Sequence, residues 1–159
     1  MLTRTRQILA ITLALSAFGQ WGCKEDEGPV APPRAVLRGE NGQYSFVPTL
    51  GQLPYCLIVE VKDGYARSLT ISDDGQSVEC ESGVPIAKKT WPIPQKDDLY
   101  RAYVVFSDRK LRGDTTATQI QDRLKEAPSG PVTPMDLRAP GQVFLERIDI
   151  RPAELRPPK

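Results

Sequence analysis

Prolines and glycines interrupt this chain so often that neither long helices nor long strands are favoured. The sequence has 15 prolines and 12 glycines in 159 residues. Proline ends regular elements, and glycine permits the tight turns that join them. Short alternating segments between such turns are typical of antiparallel β structure. The sequence therefore predicts a mainly β chain, a single β-sandwich of about seven or eight short antiparallel strands.

Two apolar segments are the strongest strand predictions. Residues 55–61 alternate, so that Leu57 and Val59 face one side while Ile58 and Glu60 face the other. Residues 100–106 end in a run, 103–106, that we expect to be buried on both faces. Further short strands are predicted over residues 43–47, 67–72, 77–80 and 142–151, the last with a bulge near Glu146, and a short segment over residues 84–86 leads to Trp91.

One helix is predicted, over residues about 115–127. Ala117, Ile120 and Leu124 recur at spacings of three and four, which gives a single apolar stripe. Thr116 and Gln119 fit a capping box at its start, and Pro128 ends it. We expect this helix to pack on the sheet.

The first residues have the composition of an export signal. Arg4 and Arg6 precede an apolar run over residues 8–18, and Gly22-Cys23 follows. As a helix that run would span about 16 Å, roughly half of a bilayer core. Residues 1–22 are therefore predicted to be a signal peptide, not a mature membrane span.

Gly22-Cys23 resembles the lipobox of bacterial lipoproteins. The resemblance implies that Cys23 is acylated, becomes the new N-terminus and anchors the protein in the lipid bilayer, which we expect to be the outer membrane of the cell envelope. Gln20 and Trp21 stand where family members usually carry Leu and Ala or Ser. Ordinary secretion, with cleavage after Gly19 and a soluble periplasmic product, is therefore the alternative.

The remaining chain divides by composition into three parts. Residues 23–38 are charged and proline-rich, which is typical of a flexible tether behind the lipidated cysteine. Residues 39–151 hold the predicted β-sandwich. Residues 152–159 are a proline-rich tail that is expected to fray.

Three cysteines are present, and lipidation of Cys23 leaves Cys56 and Cys80 to pair. A disulfide is expected in an exported protein. A redox-active or metal-binding pair is the alternative, but the chain has no Cys-x-x-Cys sequence and no histidine.

The composition also argues against several functions. Without histidine the chain cannot form a Ser-His-Asp or Cys-His triad, a histidine-ligated zinc site or a histidine-ligated haem site. The pairs Asp73-Asp74 and Asp97-Asp98 lie in predicted turns, where local hydrogen bonding explains them better than calcium does. Removal of residues 1–22 leaves 19 basic and 20 acidic residues, so no nucleic-acid partner is expected. No enzyme activity, metal or cofactor is predicted.

Aromatic residues offer one possible binding surface. Trp91 lies between Lys89 and Pro92, a context that favours exposure, and Tyr100 follows a polar segment. We treat Trp91 and Tyr100 as possible ligand-binding residues, for a glycan in particular. Packing in the core or across strands is the alternative for both, and for the other aromatic residues, Tyr44, Tyr55, Tyr65 and Tyr103.

From Tyr55 to about Ala127 the order of elements is strand, Lys-Asp-Gly turn, strand, Asp-Asp-Gly turn, strand, apolar strand and helix. The apolar strand ends in Phe106-Ser107-Asp108 with Leu111 three residues later. This layout resembles a small bacterial β-sandwich domain of unknown function that is common in myxobacterial envelope proteins. The resemblance implies a sandwich fold and no particular reaction.

Two functions remain for an anchored domain without a catalytic motif. The first is a non-catalytic accessory subunit that binds a protein partner in an outer-membrane assembly for gliding motility, adhesion or secretion. The alternative is a periplasmic or surface module that binds glycan or peptidoglycan.

Overall fold

The computed structural model describes residues 31–96 and 98–156. This part of the chain contains eight strands in two antiparallel sheets. The predicted mainly β fold, a β-sandwich with one packed helix, is confirmed. The predicted signal peptide, Cys23 and the tether as far as residue 30 lie outside the described residues.

The elements follow in chain order. The strands are β1 (Ala35–Glu40), β2 (Gln43–Pro48), β3 (Tyr55–Lys62), β4 (Tyr65–Ser68), β5 (Val78–Glu79), β6 (Trp91–Pro92), β7 (Tyr100–Ser107) and β8 (Val143–Ile150). The α-helices are α1 (Gly113–Glu126) and α2 (Pro152–Leu155), and short 3-10 turns lie at Ile86–Lys88 and Pro134–Asp136.

Strand β3 is the organising element of the larger sheet. The small sheet has the order β1-β2-β6, and the large sheet has the order β4-β3-β7-β8, with β5 also paired to β3. Strands β4 and β5 share one edge of β3, at its two ends. Between them the Ile58 N–H donates to Thr70 Oγ1 at 2.9 Å, so a side chain continues the ladder where neither strand reaches.

The large sheet is buried on both faces. Between the sheets lies the sandwich core, which includes Phe46, Cys56, Ile58, Val104 and Phe106. On the other face lies the helix-side core, where alternate residues of β3 and β7 pack against α1; it includes Leu57, Val59, Tyr103, Ile120 and Leu124. The alternation predicted for residues 55–61 and the two-sided burial of 103–106 are confirmed.

Two strand predictions are wrong. Strand β8 pairs with β7 in unbroken register, without a bulge at Glu146, because both of its faces carry apolar residues. Val143 and Leu145 pack toward the helix, while Phe144 and Ile148 pack toward the sandwich core. Strand β4 ends at Ser68, short of the predicted 67–72, since the chain turns its Thr70 side chain into the ladder.

The folded part of the chain begins earlier and ends later than the sequence predicted. Residues 35–38, assigned to the tether, belong to β1, which pairs along its whole length with β2. Pro152, expected to fray with the tail, is buried at the start of α2. Leu155 packs against β1 at Gly39, where there is no side chain in the way. A Cβ added to Gly39 would lie 3.5 Å from the Cβ of Leu155. This contact ties α2 to β1.

Helix α1 packs on the large sheet as predicted, with Ala117, Ile120 and Leu124 buried. It begins two residues earlier, at Gly113, and the predicted capping box is wrong. Thr116 is already inside the helix, where its Oγ1 donates to the Arg112 carbonyl at 2.8 Å. In the described part of the chain, no helix is both long and apolar enough to cross a membrane.

Candidate functional site: an aromatic cleft at the end of the sandwich

A cleft of about 460 Å³ opens between the two sheets at one end of the sandwich. We call it the aromatic cleft. Its volume lies within the range of small-molecule sites in proteins. It is lined by Tyr44, Glu60, Lys62, Arg67, Trp91, Pro92, Ile93, Pro94, Gln95 and Tyr100.

Strand register brings these side chains together from the large sheet. Glu60 and Lys62 continue the face of β3 that Cys56 and Ile58 turn toward the sandwich core, because alternate residues share a face. Arg67 of β4 pairs directly with Glu60, so its side chain lies on the same face. Tyr100 begins the inward face of the neighbouring strand, β7.

The small sheet supplies the aromatic wall. Tyr44 of β2 pairs with Trp91 of β6, and their ring centroids are 5.9 Å apart. Phe46 meets Trp91 edge-on, with centroids 5.6 Å apart. Trp91 is only half-buried, so part of its indole is open to the cleft.

The two tyrosines of the cleft are nearly covered, but their hydroxyls are unused. Tyr44 is 5% exposed and Tyr100 is 7% exposed. Within residues 31–96 and 98–156, neither hydroxyl has a hydrogen-bond partner, and neither is among the fully buried unpaired atoms, Ser68 Oγ, Arg101 Nε and Tyr103 Oη. Each hydroxyl oxygen therefore keeps some contact with solvent and is free of a protein partner.

Charge in the cleft is arranged around Glu60. Its carboxylate accepts from Arg67 Nε at 2.7 Å. Burial raises the pKa of Tyr44 to about 12, and the negative charge of Glu60 adds to the effect. Tyr44 is thus a neutral donor at physiological pH. Lys62 Nζ lies 5.0 Å from the centroid of the Tyr100 ring, within cation–π range.

The segment before Trp91 has an unusual backbone. Ala87 and Lys88 both have positive φ, 56° and 52°. Residues other than glycine rarely adopt this left-handed region, and such strain is concentrated at functional sites. The segment leads through Lys89 and Thr90 into β6, so this backbone lies just ahead of the strand that carries Trp91.

The structure brings together both predicted ligand-binding residues. Both also pack as the alternative predicted: Tyr100 belongs to the sandwich core, and the half-buried Trp91 packs against that core and across strands on Tyr44. The sequence did not single out Glu60, Lys62 or Arg67 for a site. Glu60 could have been found from the sequence, because it is a charged residue at a position of an apolar strand that faces the core. Of the other aromatic residues, Tyr44 joins the cleft, while Tyr103 belongs to the helix-side core.

The predicted disulfide between Cys56 and Cys80 is confirmed, with the two Cα atoms 5.7 Å apart. Cys56 is buried in the sandwich core, and Cys80 immediately follows β5. The bond lies toward the other end of β3 from Glu60, four residues or about 13 Å away. It stabilises the β3–β5 edge and takes no part in the cleft.

The carboxylate pairs do not form a cation site among the described residues. Asp74 Oδ1 accepts hydrogen bonds from Ser72 Oγ and from the Gln76 N–H. The hydrogen bond from Ser72 holds the pKa of Asp74 below its usual value. This is the turn chemistry predicted for that pair; Asp97 of the second pair lies outside the described residues. No group of three or more His, Cys, Asp and Glu side chains in residues 31–96 and 98–156 is placed to hold a metal ion.

The chain matches no family profile, no curated protein and no solved structure. The resemblances to bacterial lipoproteins and to the small β-sandwich domain therefore stay predictions. The residues that carry the second resemblance have local structural roles. Asp108 Oδ1 accepts from the Gln142 N–H at 2.9 Å, and the Leu111 N–H donates to Ser77 Oγ at 3.0 Å.

Proposed function

We propose that this chain is an envelope-exposed, non-catalytic binding module whose ligand is a glycan held in the aromatic cleft. The observation that carries the proposal is the convergence, in one cleft, of a half-open indole with two unpaired tyrosine hydroxyls. The apolar face of a sugar ring packs on an aromatic side chain, while its hydroxyls need hydrogen-bond partners. Trp91 supports the first contact, and Tyr44 and Tyr100 support the second.

The remaining lining residues fit the same ligand. Gln95 is exposed at the rim of the cleft and provides an amide, which can both donate and accept. The ion pair of Glu60 and Arg67 provides further polar atoms at the base. Sites for small ligands combine an apolar surface with a few fixed polar groups in this way.

The proposal includes the location predicted from the sequence. Export by residues 1–22 and acylation of Cys23 would hold the domain at the outer membrane, on a tether that β1 limits to residues 24–34. Glycans of the cell wall or of the cell surface would then be within reach.

The accessory-subunit hypothesis stays a prediction from the sequence. Large exposed apolar side chains among the described residues come from five different segments: Leu50, Tyr65, Ile71, Leu99 and Met135. None of them lines the aromatic cleft. We therefore place the glycan-binding function first, since it has a defined cleft to support it.

Tryptophan fluorescence tests the proposal directly. The chain has two tryptophans, and removal of residues 1–22 takes away Trp21, so the processed protein reports on Trp91 alone. The full chain is expressed with its own signal, purified from the host envelope and screened on a glycan array, and each hit is titrated. We expect a saturable change in Trp91 emission.

Variants separate the cleft from the rest of the surface. Trp91→Ala lacks the fluorescent reporter, so its binding is measured by calorimetry. Trp91→Ala and Gln95→Ala should both weaken binding, the former by about tenfold or more, as for an aromatic binding residue. Leu50→Ala removes an exposed apolar side chain outside the cleft and should bind normally. Gln95 is exposed, so its variant should fold even if Trp91→Ala does not. Silence across the array with unchanged emission would end the proposal.

A further inference from the structure

The last described residues lie beside the aromatic cleft. Strand β8 ends at Ile150, which pairs with Tyr100, one of the residues that line the cleft. Helix α2 follows, and its Leu155 packs at Gly39 of β1. Gly39 pairs in turn with Tyr44 of the aromatic wall, and directly opposed residues share a face of the sheet. Helix α2 therefore crosses from the large sheet to the small sheet at the end of the sandwich where the cleft opens.

Arg156 holds the next step of the chain at the rim of the cleft. Its Nη2 donates to the Pro94 carbonyl at 2.5 Å and to the Gln95 carbonyl at 2.7 Å. Both of these acceptor residues line the cleft. The backbone of Arg156 has left the helix, with φ −82° and ψ 142°, which is close to polyproline II geometry. The chain thus leaves α2 in an extended conformation, with its arginine bound to the rim.

The residues that follow Arg156 form a short proline segment. Pro157, Pro158 and Lys159 come next in the sequence and lie outside the described residues. Proline fixes φ near −65°, and a residue before proline is biased toward extended conformations, so this sequence favours a continuation of the geometry of Arg156. Three residues in polyproline II span about 9 Å, which is comparable with the width of a cleft of about 460 Å³.

The lining of the cleft suits such a segment. Protein domains that recognise proline-rich segments hold them in grooves lined by aromatic rings. In this cleft Trp91 is half-buried, so part of its indole is left uncovered by the described residues. Tyr44 packs beside it, with ring centroids 5.9 Å apart. A proline ring on Trp91 would bury apolar surface on both partners, and proline has little backbone freedom left to lose.

We infer that Pro157 and Pro158 of this chain occupy the aromatic cleft, where they pack on Trp91 and cover it from solvent. Because Arg156 holds the segment at the rim, its effective concentration at the cleft is on the order of millimolar, and even a weak contact is populated. The contact needs no glycan, so it goes beyond the proposed function. A glycan would have to displace the proline segment, which makes the segment an intramolecular competitor.

Fluorescence quenching tests the contact in the absence of any ligand. The processed protein reports on Trp91 alone, and quenching by acrylamide measures how open its indole is. The double variant Pro157→Gly, Pro158→Gly removes both rings and keeps the length of the chain. We expect its quenching constant to rise by about twofold or more, as for a segment that covers the indole in at least half of the molecules.

A second pair of adjacent prolines provides the matched control. Pro32 and Pro33 are exposed and, like Pro157 and Pro158, are followed by a basic residue. Neither of them lines the cleft. The double variant Pro32→Gly, Pro33→Gly should therefore leave the quenching of Trp91 unchanged.

Nuclear magnetic resonance identifies the group that covers the indole. In the unmodified protein we expect nuclear Overhauser effects between indole protons of Trp91 and ring protons of Pro157 or Pro158. The absence of these effects would overturn the inference. So would unchanged quenching in Pro157→Gly, Pro158→Gly, or an equal rise in the control variant.

Glycan binding is a separate outcome. A glycan that binds in the cleft should bind Pro157→Gly, Pro158→Gly at least about twofold more tightly than the unmodified protein, because the competitor is gone. If the variant uncovered Trp91 but no glycan bound, the proposed function alone would fail. If a glycan bound both proteins equally and the quenching of Trp91 did not differ between them, the inference about the proline segment alone would fail.

Discussion

Arg67 contacts one oxygen of Glu60 through two nitrogens, with Nε donating a hydrogen bond at 2.7 Å and Nη2 completing the ion pair at 2.7 Å. The two partners differ in exposure: the Glu60 side chain is 11% exposed and the Arg67 side chain 72%. A carboxylate on the inward face of a core strand is thus held by a guanidinium that reaches in from the surface. The pair gives the aromatic cleft a polar base without leaving a buried charge unpaired.

Removal of Arg67 should therefore cost more than the loss of an ordinary surface pair. Arg67→Met leaves the nearly buried Glu60 carboxylate without its donors, and we expect the free energy of unfolding to fall by about 1–3 kcal/mol. Urea denaturation at pH 7 measures the change. The double variant Glu60→Gln, Arg67→Met should lose less than Arg67→Met alone, because no unpaired charge remains.

The exposed pair of Arg112 and Asp114, joined at 3.1 Å, provides the control. Both side chains are about two-thirds exposed, and Arg112→Met should change stability by no more than about 0.5 kcal/mol. An Arg67→Met effect as small as this would show that solvent, and not Arg67, compensates the charge of Glu60.

The sequence was sufficient for β3 and β7, the two central strands of the large sheet, and insufficient for the cleft, for a physical reason. Strands β3 and β7 are marked by local patterns, an apolar run between turn residues, and both were predicted nearly to their ends. The cleft depends on pairing between distant segments. Tyr44 meets Trp91 only because β2 pairs with β6, and two-residue β6 has no periodicity to read. Helix α2 was missed for the same reason, since it depends on Leu155 packing over Gly39.

The disulfide should be a large part of the stability of this domain. Cys56 and Cys80 are 24 residues apart in the sequence, which corresponds to about 3.5 kcal/mol in the chain-entropy model. The double variant Cys56→Ala, Cys80→Ala should lose about that amount in urea denaturation. Reductant should destabilise the unmodified protein similarly and leave the double variant unchanged. A reductant that did not move the unfolding midpoint of the unmodified protein would contradict the prediction.

Gly113 is required where α1 begins against the large sheet. A Cβ at this position would overlap Ile71 Cγ2 and lie 2.9 Å from Ser68 Oγ. Alanine usually stabilises a helix relative to glycine by about 1 kcal/mol, but here we expect Gly113→Ala to destabilise by about 1–3 kcal/mol through overpacking. Thermal unfolding measures the change. Adding Ile71→Ala to Gly113→Ala should relieve part of this destabilisation. If the double variant lost as much stability as the two single variants together, the clash would be contradicted.

Asp149 should make the domain sensitive to acid. Hydrogen bonds from Arg147, at 2.8 Å and 3.0 Å, hold the pKa of Asp149 below its usual value, and the charges of Arg147, Arg101 and Arg151 act in the same direction. Because this pKa is lower in the folded state than the value of about 3.9 in the unfolded chain, the ionised Asp149 stabilises the folded state at pH values above about 3.9. This stabilisation is lost as the pH falls through the pKa of the folded state. Asp149→Asn should flatten the loss of stability below about pH 4, and Arg147→Met should do the same. Unfolding by urea across the acid range would detect either change.

Tyr44 should have the opposite effect at high pH. Burial, with the charge of Glu60 second, raises its pKa from 10.0 to about 12, so the folded state favours the protonated phenol. The resulting stabilisation is complete below pH 10 and is lost as pH rises toward about 12. Tyr44→Phe should therefore lose less stability across this interval, and its alkaline titration should lack the latest tyrosinate signal. Glu60→Gln should lower the pKa of Tyr44 by only part of the shift, because burial is the larger cause. If Tyr44 ionised near 10, its ring would not be buried against Trp91 and the wall of the aromatic cleft would be open to solvent.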